Sequence, residues 1–264
     1  MSGTIRAERH GSQATVTLSH PGKFNAMSRA MWRELREVFL ALRADDTLRC
    51  IVLRGEGGHF CAGGDISEYA AFRFSETGLR DFHERDVWGG LQAVLECDVP
   101  VVAQIEGNCM GAGVEIACCC DIRVASESAR FGAPIGRLGF PMAPREAALV
   151  LREAGALTAR EMLLEAGILA AAQMQARGFL QRVVPDARVG DEIDATARRI
   201  QALAPAAARM NKQAMRALQA GPNEAALASL LAQAYAYADS PEHREGIDAF
   251  LAKRPAAFSL SSSS

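Results

Sequence analysis

The sequence lacks the features that would direct it to a membrane or to nucleic acid. It has no run of about 18 apolar residues, which a transmembrane helix would require, and its first residues contain no apolar stretch typical of a signal peptide. The 264-residue chain has a net charge of -2 with acids and bases interspersed, so it offers no strongly basic surface. We therefore expect a cytoplasmic location and no membrane or nucleic-acid partner.

The chain also lacks any CxxC pair, although it contains seven cysteines. The spacing therefore does not indicate a zinc ribbon or a redox motif. Cys118, Cys119 and Cys120 are consecutive, but successive side chains on a helix point about 100° apart and cannot converge on one metal ion. We interpret the three as small hydrophobic residues in a reducing compartment, and we expect no metal.

Strand-like and helix-like segments alternate along the first half of the chain. Residues 14–20 alternate like a half-buried strand, whereas residues 49–55 and 100–107 are apolar runs typical of buried strands. Each of these two runs ends in a glycine-rich turn, and the second turn leads into a helix expected at residues 111–120. Ser28 is a candidate N-cap for the helix after the first strand. The alternation predicts an α/β fold with largely parallel strands.

The remaining segments complete this organisation. We expect residues 66–96 to be mostly helical, residues 121–126 to form a third buried strand, and "ARFGAP" (129–134) to begin a loop. From Asp191 onward the sequence is rich in alanine and helical in pattern, and Ser240-Pro241 marks a helix start.

These patterns predict a division of the chain into three parts. Residues 1–190 form an α/β core, residues 191–258 form a helical region, and the serine-rich residues 259–264 form a disordered tail.

The two glycine-rich turns are "FCAGGD" (60–65) and "GNCMGAGVE" (107–115). Small residues there let backbone N–H groups approach a ligand, and a helix N-terminus favours negative charge. Two N–H groups directed at one oxygen would form an oxyanion hole. No GxxxxGK[ST], GxGxxG or GxSxG motif is present, so the turns do not indicate phosphate binding or a serine hydrolase of the nucleophile-elbow class. The spacing of the glycines alone is explained equally well if the two segments are tight turns that bind no ligand.

Glu115 lies inside the apolar run "VEIACCCDI" (114–122), directly after the second turn. Burying a carboxylate there is costly unless the group is paired or used in chemistry. Apolar surroundings would raise its pKa and the helix N-terminus would lower it, so the balance favours a proton-transfer group near neutral pH. A buried structural glutamate paired with an arginine is the alternative.

Several segments together resemble the crotonase superfamily, which is also called the enoyl-CoA hydratase/isomerase family. The two glycine-rich segments, "VLRGEGGHFCAGGDI" and "PVVAQIEGNCMGAGVEIACCCDIRVAS", are the specific part. "KFNAMS", "ARFGAP" and "EGIDAFLAKRPAAF" match in the same order, so the similarity covers roughly residues 5–258.

This resemblance implies an α/β fold made of a crotonase-like spiral of ββα units with a C-terminal helical trimerisation region. It further implies a homo-oligomer, either a trimer or a dimer of trimers, that acts on acyl-CoA thioesters. The thioester oxygen would be held by the backbone N–H groups of Gly64 and Ala112. Many relatives have glycine at the second position, but alanine still supplies the N–H.

The resemblance also implies how coenzyme A is bound, as part of the substrate and not as a separate cofactor. Backbone near the first turn and near "FNAM" would contact the adenine, and lysines would meet the phosphates. The residues at the matching positions are Lys23, Ala26, Ala62, Asp65, Ile66 and Lys253.

Glu115 matches the first of the two catalytic glutamates of the family's hydratases. The second glutamate follows "FGxP" in those enzymes, but this chain has "FGAPIG", which places Ile135 there. An isoleucine cannot transfer a proton, and loss of a general acid or base typically costs about 10² to 10⁴ in rate.

Other residues are candidates for the missing role. Some relatives that act on aromatic acyl-CoA use a tyrosine of the C-terminal region, where this chain has Tyr235 and Tyr237, although both also fit as helix-packing residues. Asp65 follows the first donor, but it fits better as a helix cap. The further candidates are His59, His83, Glu84 and Asp86.

Three functions are consistent with this pattern. The first is hydration of an enoyl-CoA, with Glu115 positioning the water and moving the proton. The second is another reaction through the same enolate: double-bond isomerisation, C–C cleavage, decarboxylation or thioester hydrolysis. The third is a catalytically idle CoA-binding protein. The resemblance does not specify the acyl group, because the variable segment 66–96 and the C-terminal helices would build its pocket.

Overall fold

The computed structural model describes residues 2–219 and 224–258. Its strands are β1 (Thr4–His10), β2 (Gln13–Ser19), β3 (Cys50–Gly55), β4 (Val101–Ile105), β5 (Asn108–Met110), β6 (Ile122–Ser126), β7 (Arg130–Gly132), β8 (Ile168–Ala170) and β9 (Arg182–Val184). They form a six-stranded sheet in the order β1-β2-β3-β4-β6-β9 and a three-stranded sheet in the order β5-β7-β8. In the larger sheet β1 runs antiparallel to β2, and the other neighbouring pairs are parallel.

The helices lie between and after these strands. The α-helices are α1 (Arg29–Arg43), α2 (Glu76–Asp81), α3 (Trp88–Leu95), α4 (Ala112–Cys118), α5 (Pro144–Ala154), α6 (Ala156–Leu164), α7 (Ala171–Ala176), α8 (Val189–Gln201), α9 (Pro205–Gln219), α10 (Glu224–Gln233) and α11 (Pro241–Leu251). The 3-10 helices are Ile66–Ala71, Pro134–Leu138 and Asp186–Arg188, and Phe82–Val87 forms a π-helical turn.

The larger sheet is covered on both faces, which explains why β3 and β4 are continuously apolar. Alternate residues of β3 point to opposite faces. Ile51 and Leu53 belong to the main core, whereas Cys50 and Val52 pack under α8 beside Ile193. The predicted α/β fold with largely parallel strands is confirmed.

Helix α1 begins where the sequence predicted. The hydroxyl of Ser28 accepts a hydrogen bond from the Met31 N–H at 3.2 Å, which caps the first turn. Leu35 and Phe39, one turn apart, are fully buried against the core. Residues 66–96 are mostly helical, as expected, with a π-helical turn in the middle.

The expectation that "ARFGAP" begins a loop was wrong. Its first residues form β7, which pairs in parallel with β5 and antiparallel with β8. A three-residue strand shows no periodicity in the sequence, and its pairing depends on segments distant along the chain. The helix expected at residues 111–120 is shorter, because Cys119 is already its C-cap.

The last part of the described chain is helical, and α11 begins at Pro241 with the Ser240 hydroxyl capping its first turn. Helix α8 starts at Val189 and packs on the larger sheet. The division between residues 190 and 191 therefore stays a prediction, and the predicted tail, residues 259–264, lies outside the described residues. Among the helices that are described, none has the length and apolar character needed to span a membrane.

All seven cysteines are buried and none is in a disulfide. Cys118, Cys119 and Cys120 belong to the main core. Burial raises the pKa of each of these thiols, to about 12 for Cys120. Three protonated thiols in a close-packed core fit the interpretation of the "CCC" run as small hydrophobic residues.

Candidate active site

Backbone hydrogen bonds join the two glycine-rich turns along one edge of the larger sheet. Because β3 and β4 are parallel neighbours, both turns leave the sheet on the same side. The Cys61 N–H donates to the Asn108 carbonyl at 2.8 Å, and the Met110 N–H donates to the Cys61 carbonyl at 2.9 Å. The two turns are therefore held side by side before any side chain contributes.

Glycine permits the close approach of the two turns. Gly63 has a φ of 114° and Gly111 a φ of 47°, values that residues with a Cβ rarely adopt. A Cβ on Gly111 would lie 3.7 Å from the Gly63 Cα, so the two turns are in direct contact. On α4, a Cβ on Gly113 would lie 2.6 Å from the Cys61 carbonyl oxygen.

The backbone N–H groups of Gly64 and Ala112 follow these two glycines directly. Ala112 is the first residue of α4, so its N–H has no acceptor one turn earlier within the helix. Neither N–H donates to a backbone carbonyl of residues 2–219 or 224–258. Two adjacent, unpaired donors on one cavity wall can bind a single oxygen atom.

The two turns form part of the wall of a cavity of about 390 Å³. Its lining is mainly apolar, and the polar side chains on it are few. The predicted site residues that line it are Ala62, Gly64, Ile66, Ala112 and Glu115. Ile135 lines the same cavity, which places the isoleucine that replaces the family's second glutamate at the site itself.

Glu115 is the carboxyl group next to the two turns. Its neighbours along α4 are buried, and its own exposed surface faces the cavity. Burial, with a smaller contribution from the charge of Glu146, raises the pKa of Glu115 to about 8. No arginine or lysine of the described chain forms an ion pair with Glu115, so the alternative of an arginine-paired structural glutamate does not hold.

The residues expected to contact CoA near the first turn lie together. The Lys23 ammonium is 2.6 Å from the Asp65 carboxylate and 2.8 Å from the Ser67 hydroxyl. Asp65 also accepts from the Ser67 N–H at 3.1 Å and so caps the 3-10 helix, as expected. The Ala62 N–H donates to the Phe24 carbonyl at 2.9 Å, and Ala26 is buried beside this loop.

Lys253 and the two C-terminal tyrosines do not reach this cavity within the chain. Lys253 is exposed just after α11. Tyr237 lines a separate cavity of about 850 Å³ between α9, α10 and α11, and Tyr235 is exposed. The proposed roles of these three residues stay predictions.

Three of the four other candidates for the second proton donor have structural partners elsewhere. The His59 Nδ1 accepts from the Asn108 N–H at 3.1 Å, Glu84 pairs with Arg145, and buried Asp86 pairs with two arginines of α1. Only His83 lines the cavity.

Three polar side chains that line the cavity, Tyr69, Arg73 and Arg137, were not singled out by the sequence. Tyr69 and Arg73 line the cavity, and the Tyr69 hydroxyl lies against Gly64, since a Cβ there would be 2.0 Å from it. The Arg73 guanidinium lies 4.4 Å from the Tyr69 ring and 3.8 Å from the Phe140 ring. Tyr69 and Arg73 lie fewer than ten residues after the first turn, but no sequence motif marks them as site residues.

Comparison with known proteins gives consistent matches over nearly the whole chain. The sequence profile of the enoyl-CoA hydratase/isomerase family matches residues 8–260. A probable enoyl-CoA hydratase of Rhizobium meliloti is 32% identical over 258 residues, 97% of each chain. The 2,3-dehydroadipyl-CoA hydratase of Escherichia coli is 33% identical over 245 residues, 90% of this chain and 92% of that one.

Solved structures agree with these matches. The crystal structure of an enoyl-CoA hydratase/carnithine racemase from Magnetospirillum magneticum superposes with a TM-score of 0.92 at 38% identity, covering 98% of this chain and 96% of that one.

The contact between the two turns yields a test on Gly113. Replacing it with alanine forces a Cβ against the Cys61 carbonyl, so Gly113→Ala should lower the free energy of unfolding by about 1–3 kcal/mol. Gly190→Ala on α8 is the matched control, because a Cβ there meets no atom within 4 Å; it should leave stability unchanged or raise it by up to about 1 kcal/mol. Urea denaturation measures both, and equal effects would contradict the close approach of the turns.

Proposed function

The chain is an enzyme that belongs to the enoyl-CoA hydratase/isomerase family, and we propose that its reaction is the reversible addition of water to an enoyl-CoA double bond. The observation that carries this proposal is the Glu115 carboxyl, held in an apolar cavity beside the unpaired N–H groups of Gly64 and Ala112. These are the groups that an enolate mechanism requires: donors for the thioester oxygen and an acid–base residue near the α carbon.

In this mechanism the two N–H groups bind the thioester oxygen, where negative charge develops. The water oxygen forms a bond to the β carbon and the water gives up one proton to a second basic group, while the electron pair of the double bond moves onto the thioester oxygen to give an enolate. Glu115 then delivers a proton to the α carbon. Its raised pKa, about 8, keeps the carboxyl protonated at neutral pH, as this step requires. In the reverse direction the carboxylate removes the same proton.

Several expected features of substrate binding and assembly belong to the same proposal. CoA binds as part of the substrate. Lys23, Asp65 and the backbone of Ala62 contact it near the first turn. Assembly into a trimer or a dimer of trimers is supported by the large apolar side chains that the C-terminal helices leave exposed. These are Leu218, Leu227, Leu231, Ile247, Phe250 and Leu251.

Double-bond isomerisation is the second candidate, and Ile135 is the observation that favours it. With no carboxyl at that position, Glu115 alone can remove a proton from one carbon and return it to another. Hydration needs a further group for the proton that water loses, so the two reactions differ in the number of proton-transfer residues. A catalytically idle binder remains the third possibility and differs from both in showing no turnover.

Glu115→Gln tests the acid–base role. Glutamine keeps the shape but cannot exchange a proton, so hydration should fall by about 10²- to 10⁴-fold in kcat with little change in KM. The exposed Glu127→Gln is the control and should leave both constants unchanged. Because the reactive form is protonated, kcat/KM of the unmodified enzyme should fall as pH rises through about 8.

The products decide between the candidate reactions. A panel of short, long and aromatic enoyl-CoAs is incubated in heavy water, and product masses are followed. Gain of one water, lost in Glu115→Gln, supports hydration. A moved double bond without added water would contradict it and support isomerisation. Tight binding with no turnover across the panel would favour the idle binder.

Arg73 supports a narrower proposal about the acyl group. Its guanidinium lines the cavity between two aromatic rings, and within residues 2–219 and 224–258 no carboxylate forms an ion pair with it. Burial lowers the pKa of Arg73, which reflects the cost of holding this charge away from water. A carboxylate on the acyl chain would relieve that cost, and a 2,3-dehydroadipyl chain, as named for the Escherichia coli relative, carries one.

Arg73→Met tests this proposal. With 2,3-dehydroadipyl-CoA, kcat/KM should fall by about 10- to 100-fold, since a hydrogen bond to a charged group contributes about 1.5–3 kcal/mol. With crotonyl-CoA, whose acyl chain has no carboxylate, the change should be small. The exposed Arg85→Met is the control and should affect neither substrate. Equal losses on both substrates would contradict recognition of a carboxylate and indicate a packing role.

A further inference from the structure

A hydrogen-bonded histidine–carboxylate pair, His83 with Glu146, lies at the cavity that Glu115 also lines. The His83 Nδ1 lies 3.1 Å from the Glu146 carboxylate oxygen Oε1. The Glu146 side chain is 3% exposed and that of His83 is 22% exposed, and the exposed part of His83 lines the cavity. The two residues are 63 positions apart in sequence, so only the fold brings them together.

The surrounding structure fixes the orientation of the imidazole. A carboxylate can only accept a hydrogen bond, so the contact assigns the Nδ1 proton to the bond with Glu146 and leaves Nε2 free to accept a proton. The Phe82 ring packs edge-on at 5.0 Å. Glu84, the residue after His83, and Arg145, the residue before Glu146, form a second bridge at 3.0 Å. Two successive bridges therefore hold the segment of His83 against α5.

His83 belongs to a π-helical turn, Phe82–Val87. Such turns interrupt the hydrogen bonds of an α-helix and so cost stability. They are frequent at functional sites, because they redirect a side chain. Glu146 lies in the first turn of α5. The charge of Glu146 also raises the pKa of Glu115, which shows that the pair and Glu115 share one electrostatic environment. The pair thus belongs to the same site as the proposed acid.

Building on the proposed hydration, we propose that His83 is a catalytic base of this enzyme and that Glu146 is its positioning residue. In the hydration direction, the Nε2 atom of His83 takes a proton from the water molecule as the water oxygen bonds to the β carbon. The electron pair of the double bond moves to the thioester oxygen, and the enolate takes its α proton from Glu115. The proton on His83 then returns through solvent to Glu115, so the net change is the addition of one water.

This assignment supplies the group that Ile135 cannot provide, and the other polar groups near the site are less suitable. Burial raises the pKa of Tyr69, so its phenol keeps its proton and cannot act as the base. The Asp65 carboxylate already pairs with the Lys23 ammonium and accepts the capping hydrogen bond from the Ser67 N–H. Histidine is the side chain that most readily serves as a neutral base near pH 7.

Several elements contribute charged and titratable groups around His83. Each of these groups affects how kcat/KM depends on pH. They are Glu146 and Arg145 of α5, Glu84, Arg85 and Asp86 of its own turn, Glu115 of α4, and Tyr69, Arg73 and Arg137 of the cavity wall.

Three variants test the proposal by steady-state kinetics. His83→Ala should lower kcat for hydration by about 10²- to 10⁴-fold, and Glu146→Gln should lower it at least about tenfold. The exposed His10→Ala, remote in sequence from every residue placed in the site, is the control and should leave kcat unchanged. In the pH profile, the fall of kcat/KM at low pH should disappear in His83→Ala, while the fall near pH 8 due to Glu115 remains. Added imidazole should restore part of the activity of His83→Ala only.

The results separate this proposal from the proposed function. If Glu115→Gln is inactive while His83→Ala and Glu146→Gln keep normal kcat values and pH profiles, the enzyme is a hydratase and His83 is not its base. Loss of activity in His83→Ala with an unchanged pH profile and no rescue by imidazole would mean that His83 is only structural, and this too would overturn the proposal.

A measurement that needs no turnover covers the case in which no tested substrate reacts. In the 15N spectrum of histidine-labelled protein, His83 should show a protonated Nδ1 and an unprotonated Nε2 at pH 8, with His83→Ala used for assignment. Glu146→Gln should change this tautomer preference. A protonated Nε2 in the unmodified protein would overturn the proposal, because that atom could not then accept a proton.

Discussion

The burial of one carboxyl group without a counter-ion is the constraint on which the site depends. Glu115 is held on a short helix whose other residues are buried or nearly so, and its carboxyl opens only into an apolar cavity. An arginine beside it would stabilise the fold but would also lower its pKa and remove its use as an acid. The fold is less stable with an unpaired carboxyl here than it would be with a paired one, as is common at catalytic sites. The pKa of Glu115 is raised to about 8 as a result.

The rest of the fold places ligand-binding groups around that carboxyl. Parallel pairing of β3 with β4 brings both glycine-rich turns to one edge of the sheet, and hydrogen bonds between the turns hold them side by side. His83 reaches the cavity from the π-helical turn, and its partner Glu146 lies on α5. The backbone of Gly64 and Ala112 and the side chains of Glu115 and His83 therefore line one cavity, although they come from three separate segments.

The sequence predicted the parts of this arrangement that depend on local pattern. The Ser28 cap, the buried strands, the two turns and Glu115 could all be identified because each is encoded within about 15 residues. The short strands β5, β7 and β8 could not, since a three-residue strand exists only through its partners. The same limit applies to His83 and Glu146, whose contact spans 63 residues, and His83 could be named only as one of several candidates. Ile135 left the second proton-transfer group open at the level of the sequence, and the proposal of His83 rests on a contact that only the fold forms.

The most direct test of this account is the titration of Glu115 itself, followed by infrared difference spectroscopy of the protonated carboxyl stretch. At neutral pH almost all other carboxyl groups are ionised, so a protonated Glu115 gives an isolated signal, which Glu115→Gln identifies by its loss. The account predicts a midpoint near 8, because the carboxyl is buried without a partner. A midpoint near the ordinary glutamate value of about 4.3 would contradict it and would mean that water or a cation stabilises the charged form.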